Sequence, residues 1–284
     1  MCVECGCGQP GPTRIDGRPA SEVSSSLVDG HHDHGHSHDH GDQHDHPHDH
    51  DHDHAHPHTH GPREIAVHQS VFAANDRMAE RNRGFFNALG VLVLNVVSSP
   101  GSGKTTLLQK TIERLGGLAR VGVVVGDLET DNAARRLRTP GAPVVQVSTG
   151  TLCHLDAEMV ARAVSTIDVR LLDILIIENV GNLVCPAEFD LGEDLRVALL
   201  SVTEGEDKPL KYPPMFRNAD MVVLTKTDLV PHLDFDRDAA LRNIRQVNPK
   251  APIFEVSSRN GDGIQAWCDA LMEWRSKSRP AVRP

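Results

Sequence analysis

The sequence predicts an α/β fold: a mostly parallel sheet with helices on both faces, preceded by a metal-binding N-terminal region with no core of its own. Three observations predict it. From Val91 onward, apolar runs of strand length alternate with helical patterns, as in sheets whose parallel strands are joined by helices. The octet Ser98–Thr105 joins the first of these strands to the first of these helices through a glycine-containing turn. Residues 31–60 hold fifteen of the eighteen histidines among Asp, Gly and Pro, with no apolar face to bury.

Bulk properties narrow the function classes. A length of 284 residues suits one large α/β domain with appendages. A formal charge of −10 and only 4% aromatic residues argue against nucleic-acid binding. No apolar run reaches membrane-spanning length, and Met1–Cys5 lacks the basic and apolar regions of a signal peptide. A cytoplasmic protein is expected, in which six cysteines are thiols or metal ligands rather than disulfides.

In chain order, residues 1–10 form a Cys-rich motif. Cys2, Cys5 and Cys7 are soft ligands within six residues, and Gly6 and Gly8 let the loop wrap an ion. If Met1 is removed, the Cys2 amino group is a fourth donor, and a square plane would favour Ni²⁺ and a tetrahedron Zn²⁺. A redox-active thiol cluster is the bland alternative. Residues 11–30 read as a linker with little to bury. The tract 31–60 is expected to stay unfolded and hold several ions loosely, since Pro47 and Pro57 break any helix and imidazole suits Ni²⁺ and Zn²⁺. Residues 64–88 resume helical spacing at Val67, Val71, Ala74, Met78, Phe85 and Leu89, opening a domain over 64–280.

Within that domain, Val91–Val97 is the first strand and Thr106–Leu115 the helix that follows the cradle. Backbone N–H groups of the turn and the helix N-terminus point positive charge at an anion. Gly101, Ser102, Gly103, Lys104, Thr105 and Thr106 are the expected phosphate contacts, with Lys104 on the β- and γ-phosphates and the Thr105 hydroxyl on Mg²⁺. The G-x-x-x-x-G-K-[ST] pattern is met except at its first position, where Ser98 stands. The second strand, Val121–Val125, leads to Asp127, Glu129 and Asp131. Asp127 is the first choice to help hold Mg²⁺ or orient the attacking water, while Glu129 and Asp131 fit a helix N-terminus as well. The third strand, Val144–Val147, is followed by Cys153, His154 and Asp156, the last placed to cap a helix carrying Val160, Ala163, Val164 and Ile167.

Leu172–Ile177 reads as a central strand ending at Glu178, a second Mg²⁺ candidate. Gly181 would admit backbone close to the γ-phosphate, and Cys185 follows. Cys153, His154 and Cys185 thus leave the cradle's sheet edge on neighbouring loops, as a three-ligand set with an open position; ordinary buried thiols are the alternative. After Leu195–Val202, residues 203–219 read as a mobile polar loop. The strand Asp220–Leu224 ends at Thr225-Lys226-Thr227-Asp228, where N-K-x-D is the usual guanine pattern. The Asp228 carboxylate can accept from N1–H and N2–H₂ of guanine, a donor pair adenine lacks, and the Lys226 stem can cover the ring. Ser257 and Ser258, after the last strand Pro252–Val256, are expected to offer N–H groups to the guanine carbonyl. Ile264, Trp267, Cys268 and Leu271 stripe a closing helix, with Cys268 in the core.

Together, Cys2-x-x-Cys5-Gly-Cys7, the His-rich tract, Ser98–Thr105, Gly126–Asp131, Cys153-His154, Glu178–Pro186 and Thr225–Asp228 resemble one family along the whole chain: the nickel-incorporation GTPases of hydrogenase maturation, HypB, which are SIMIBI-class P-loop GTPases. The resemblance implies slow, Mg²⁺-dependent GTP hydrolysis, a homodimer through the GTPase domain, and nickel delivery to the [NiFe]-hydrogenase large subunit. It also implies a small zinc-binding partner (HypA), in some organisms the SlyD prolyl isomerase, and a GTPase-domain metal site at Cys153, His154 and Cys185. If the γ-phosphate orders the loop beginning at Glu178, nucleotide state reaches Cys185 seven residues later. Two other readings are a GTPase serving a different enzyme, such as the urease-accessory UreG proteins with their Cys-Pro-His motif, and a nickel store whose GTPase domain is mainly a scaffold.

Overall fold

The computed structural model describes residues 13–24, 62–128, 131–138 and 141–278. The expected sites at Cys2, Cys5, Cys7, Glu129 and the tract 31–60 lie outside the described residues. A nine-stranded sheet forms the centre, in the order β2-β1-β5-β4-β6-β3-β7-β8-β9. Seven strands are parallel: β3 (Leu92–Ser98), β4 (Val121–Asp127), β5 (Val144–Ser148), β6 (Ile174–Glu178), β7 (Leu195–Ser201), β8 (Met221–Thr225) and β9 (Ile253–Val256). The central ones are apolar on both faces because helices cover both, which is why they read as continuous Val/Ile/Leu runs.

One face packs against α2 (Lys104–Leu115), α3 (Asn132–Arg138) and α9 (Ile264–Ser278), around Leu107, Ile112, Leu137 and Trp267. Trp267 is fully buried, and its indole N–H donates to Thr111 Oγ1 at 2.9 Å, so the ring enters the core without an orphaned donor. The other face packs against α1 (Pro62–Leu89) and α4 (Ala157–Val164) at one end. At its other end lie α7 (Pro213–Arg217) and α8 (Arg237–Val247).

Three parts depart from the sequence expectation. Arg14–Ile15 (β1) and Arg18–Pro19 (β2), inside the expected linker, form a hairpin whose first strand pairs antiparallel with β5, Arg14 opposite Ser148 and Ile15 opposite Val147. Ile15 is buried among Val145, Val147 and Val160, and Asp16 accepts from Gln146 N–H. One buried side chain and an edge strand suffice where composition alone suggested nothing to bury. Residues 203–219 are not a loop: they contain α6 (Lys208–Lys211) and α7, and Met215 and Phe216 of α7 are buried. The prolines at 209, 213 and 214 start these helices, where the missing N–H costs nothing. α8, absent from the sequence reading, is capped by Asp236, which accepts from Ala239 N–H at 2.8 Å.

The helix α1 buries Asn75, Ala79, Asn82 and Phe86; of the expected stripe, Phe85 and Leu89 pack half-buried against the same core, Met78 is half-buried and Ala74 is exposed. Two asparagines face inward and make hydrogen bonds to distant backbone, although the buried Asn82 Oδ1 has no partner. Asn75 donates to Asp190 O (2.9 Å) and accepts from Ala157 N–H (3.0 Å); Asn82 donates to Ala157 O (2.8 Å) and Leu191 O (3.0 Å). α1 is thereby pinned to the start of α4 and to the loop before β7.

Candidate nucleotide and metal site

At the C-terminal ends of the parallel strands a cavity of about 520 Å³ is lined by Pro100–Thr106, Asp127, Arg136, Glu178–Gly181 and Lys226. The cradle closes as a turn because Gly101 (φ 73°) and Gly103 (φ 96°) adopt the left-handed conformation that a side chain would strain. Gly103 is also the N-cap of α2, so Lys104, Thr105 and Thr106 present their N–H groups in its first turn. Ser98, in the place of the pattern's first glycine, is fully buried and structural. Its hydroxyl lies 2.5 Å from Ser102 Oγ and accepts from Lys104 Nζ at 2.7 Å.

Lys104 is buried, and desolvation pushes its pKa down against the opposing charges of Glu178, Glu204 and Asp127. Burial pushes the Glu178 carboxyl up, opposed by the Thr105 hydrogen bond and the Lys104 charge. Thr105 Oγ1 donates to Glu178 Oε1 at 2.6 Å, while the buried Glu178 Oε2 has no hydrogen-bond partner. A buried, unpaired carboxylate oxygen beside a hydroxyl and near Asp127 is a donor set for a hard cation such as Mg²⁺. Asp127 lines the same wall, whereas Asp131 is exposed, faces Arg135 at 3.6 Å and does not line the cavity. A Cβ on Gly181 would stand 2.9 Å from the Pro100 N and Cα atoms, so glycine there lets the Glu178 loop lie against the cradle itself.

Of the residues expected to meet the base, Lys226 lines the cavity while Asp228, Ser257 and Ser258 do not. Thr225, where N-K-x-D has Asn, donates from Oγ1 to Ser102 O at 2.6 Å, and Lys226 Nζ donates to Gly101 O at 2.7 Å. Ser257 Oγ donates to Asp228 Oδ1 at 2.6 Å and orients that carboxylate. The expectation for the Ser257 N–H is corrected: it donates to Asp262 O at 3.0 Å, so it is not offered to a base. Ser258 is half-buried beside it. Sequence reasoning missed Glu204, which accepts from Ser99 Oγ in the cradle, and Arg136, which donates to Thr106 Oγ1 at 3.0 Å from α3. Neither lies in a motif, and both arrive from elements that only the tertiary fold brings to the cradle.

Cys153, His154 and Cys185 do meet: their ligand atoms all lie within 4.8 Å of one another. The Cys153 and Cys185 sulfurs are 2.8 Å apart, as thiols and not as a disulfide, and Cys153 Sγ is 3.9 Å from His154 Nδ1. His154 stacks on Phe189 with ring centroids 3.9 Å apart, and burial pushes its pKa down to about 4. The imidazole is therefore neutral at pH 7, the form that ligates a metal. Two thiolates and an imidazole suit Ni²⁺ or Zn²⁺. Cys268, by contrast, is buried in the α9 stripe.

A phosphate cradle on the first parallel strand, acidic strand ends and a Thr-Lys-x-Asp turn define a P-loop GTPase fold, with Cys153, His154 and Cys185 clustered at the same sheet edge. Residues 92–255 match the family described as CobW/HypB/UreG, nucleotide-binding domain. The chain belongs to this family and, within it, to the HypB hydrogenase maturation factors. It is 45% identical over 302 aligned positions to hydrogenase maturation factor HypB of Azotobacter chroococcum mcd 1, covering 99% of this chain and 93% of that one. It is 52% identical over 209 to HypB of Escherichia coli (strain K12), covering 74% and 72%. The crystal structure of HypB from Helicobacter pylori in complex with nickel superimposes with a TM-score of 0.70 at 38% identity, covering 74% of this chain and 99% of that one. No helix among the described residues is long and apolar enough to cross a membrane.

Proposed function

We propose that this chain is a GTP-hydrolysing nickel metallochaperone that helps insert Ni²⁺ into the [NiFe]-hydrogenase large subunit, with residues 1–10 and 31–60 as its metal supply. The observation that carries this reading is the convergence of Cys153, His154 and Cys185 on the sheet edge that also holds the nucleotide cavity. In this reading residues 64–280 are the GTPase domain, and it forms the homodimer. Lys104 and the N–H groups of Gly101–Thr106 bind the phosphates, and Asp228, oriented by Ser257, selects guanine. Thr105, Asp127 and Glu178 would hold Mg²⁺, which supplies charge neutralisation at the β- and γ-phosphates. Hydrolysis is in-line: the water oxygen bonds to the γ-phosphorus as the bridging P–O bond breaks, its electron pair leaving on GDP. Asp127 is assigned to orient that water. Nickel is cargo, and Zn²⁺ competes for the same thiolates.

The supply reading gains from the hairpin. Thr13 leads into Arg14 opposite Ser148, at the functional edge of the sheet, and Cys7 is six residues before it. Six residues span about 20 Å at most, which would keep Cys7 on the side of the domain that carries Cys153. HypA, SlyD and the hydrogenase large subunit are the proposed partners, and the cytoplasm the proposed compartment. The test is hydrogenase activity in a cell lacking this protein, complemented by the native chain or by Lys104→Ala, with and without added nickel. Failure of Lys104→Ala at low nickel, rescued by nickel in the medium, is expected. Full maturation with Lys104→Ala, together with lost nickel tolerance on deleting 31–60, would instead make the chain a nickel store.

A further inference from the structure

One buried residue in the wall of the nucleotide cavity also reaches the loops that carry the metal cluster. Glu178 ends β6 and turns its carboxylate toward Thr105. Asn179 follows and, as successive residues of an extended chain do, turns to the opposite face of the sheet. It is 1% exposed. Its Oδ1 accepts two N–H groups, from Leu155 at 3.1 Å and from Val180 at 2.9 Å. Leu155 is next to His154 on the loop after β5, and Val180 begins the segment that reaches Cys185. A single oxygen thus holds together the two loops that carry the three metal ligands.

The orientation of this amide is fixed from behind. Asn179 Nδ2 donates to Asn95 Oδ1 at 3.2 Å, Asn95 Nδ2 donates to Glu193 Oε1 at 3.1 Å, and Glu193 pairs with Arg196 at 2.7 Å. The Asn179 backbone N–H donates to Val96 O in the strand that leads to the cradle, at 3.1 Å. Leu155 also packs over Gly126, next to Asp127, where a Cβ would stand 2.7 Å from Leu155 Cγ.

We propose that Asn179 is the positioning residue that transmits nucleotide state to metal geometry, by clamping Leu155 and Val180 in a register that follows Glu178. The proposal rests on the GTPase-metallochaperone reading above. When the Glu178 carboxylate changes partner, its peptide turns, and the adjacent Asn179 side chain moves the two ligand loops relative to each other. A carbonyl oxygen that accepts two N–H groups and an amide that donates to Asn95 are both needed, which singles out asparagine.

The test uses the full chain with Cys2, Cys5 and Cys7 replaced by Ala, so that the thiolate-to-nickel charge-transfer band reports Cys153 and Cys185. Ni²⁺ is titrated with GDP and with a non-hydrolysable GTP analogue bound. The expected ratio of the two affinities is fivefold or more, falling to within twofold of unity in Asn179→Ala. A residue that only supports the fold would weaken both states alike and keep the ratio. Equal affinities before that substitution overturn the coupling reading and the relay with it; a ratio that survives Asn179→Ala overturns the relay alone. Amide hydrogen exchange on the unsubstituted chain gives a second measurement that needs no variant. The peptide containing Leu155 is expected to exchange at different rates in the two nucleotide states, and equal rates would overturn the relay.

Discussion

Thr225→Val isolates the bond between the base edge and the phosphate cradle. The substitution keeps the side chain's shape and removes only its hydroxyl. Thr225 and Ser102 are 3% and 1% exposed, so water cannot replace the 2.6 Å hydrogen bond from Thr225 Oγ1 to Ser102 O. A buried carbonyl left without its donor costs about 1–3 kcal/mol. For a domain of this size each kcal/mol lowers Tm by about 2–4 °C, so a fall of about 2–12 °C is expected by differential scanning fluorimetry. The cradle carbonyl belongs to the residue between Gly101 and Gly103, the two left-handed positions, so its release also loosens the phosphate site. GDP affinity, read by displacement of a fluorescent analogue, should drop at the same time. Thr225 would then hold by a short hydroxyl what the longer Asn of N-K-x-D is placed to reach. A Tm within 1 °C of the native chain, with GDP affinity within twofold, would refute the reasoning and make the hydroxyl incidental.

Asp228→Asn should weaken GDP and GTP by about 10–150-fold, the loss of a charge-assisted contact of about 1.5–3 kcal/mol. It should gain xanthosine diphosphate, whose C2 carbonyl accepts from the new amide; a competition assay with both nucleotides checks this. Glu193→Gln leaves the Arg196 guanidinium buried without its carboxylate, a loss of about 3–5 kcal/mol, in a pair whose side chains are 6% and 11% exposed. Burial raises the Glu193 pKa, but the Arg196 charge, its hydrogen bonds and the Leu191 N–H outweigh it and hold the carboxyl below its usual value of 4.5. Its stabilising contribution is therefore complete above pH 4.5 and lost as pH falls through the lower folded value. Thermal melts from pH 7 to pH 3 should show the native chain and Glu193→Gln converging only below pH 4.5. Burial pushes the Cys268 thiol up to about 11, so at pH 8 only about 0.1% is thiolate. Iodoacetamide should spare it in the native protein and modify it after denaturation, as peptide mass spectrometry would show.

What the sequence made legible follows from where each signal is stored. The parallel strands announce themselves because burial on both faces leaves only apolar residues to choose from, as in Leu92–Ser98 and Ile174–Glu178. The cradle, Asp127, Glu178 and Asp228 sit at strand ends, where chemistry and punctuation coincide. The metal set was legible as three residues on two loops of one sheet edge, and the structure brings them together. The signals that failed are those in which a polar residue does a core residue's work. Asn75 and Asn82 look like the wet side of α1 until their partners at Ala157, Asp190 and Leu191 are known, and those partners are about 75 to 115 residues away. Ile15 is one apolar residue in a polar stretch, and nothing local says that β5 has an edge ready to pair with it. The Ser257 N–H was misplaced for a similar reason, since its acceptor at Asp262 belongs to the turn that follows.

The same distinction explains why the relay proposed at Asn179 is invisible to motif reading. The stretch from Glu178 to Cys185 suggests a line along the chain, in which the nucleotide pulls one end and the metal feels the other. The relay proposed at Asn179 would be a second route, and a shorter one. Cys153 and His154 lie about 25 residues before Glu178, and a pull along the chain would reach them only through α4 and β6, both rigidly packed. Asn179 spans that separation with one hydrogen bond to Leu155. In the proposed relay, Leu155 would follow Asn179 at the end of β6 while Cys185 responds further along its own loop, so the spacing of the three ligands would change. On that proposal, release of a cargo ion would depend on this change of spacing, because a cluster that travels as a unit keeps its ion.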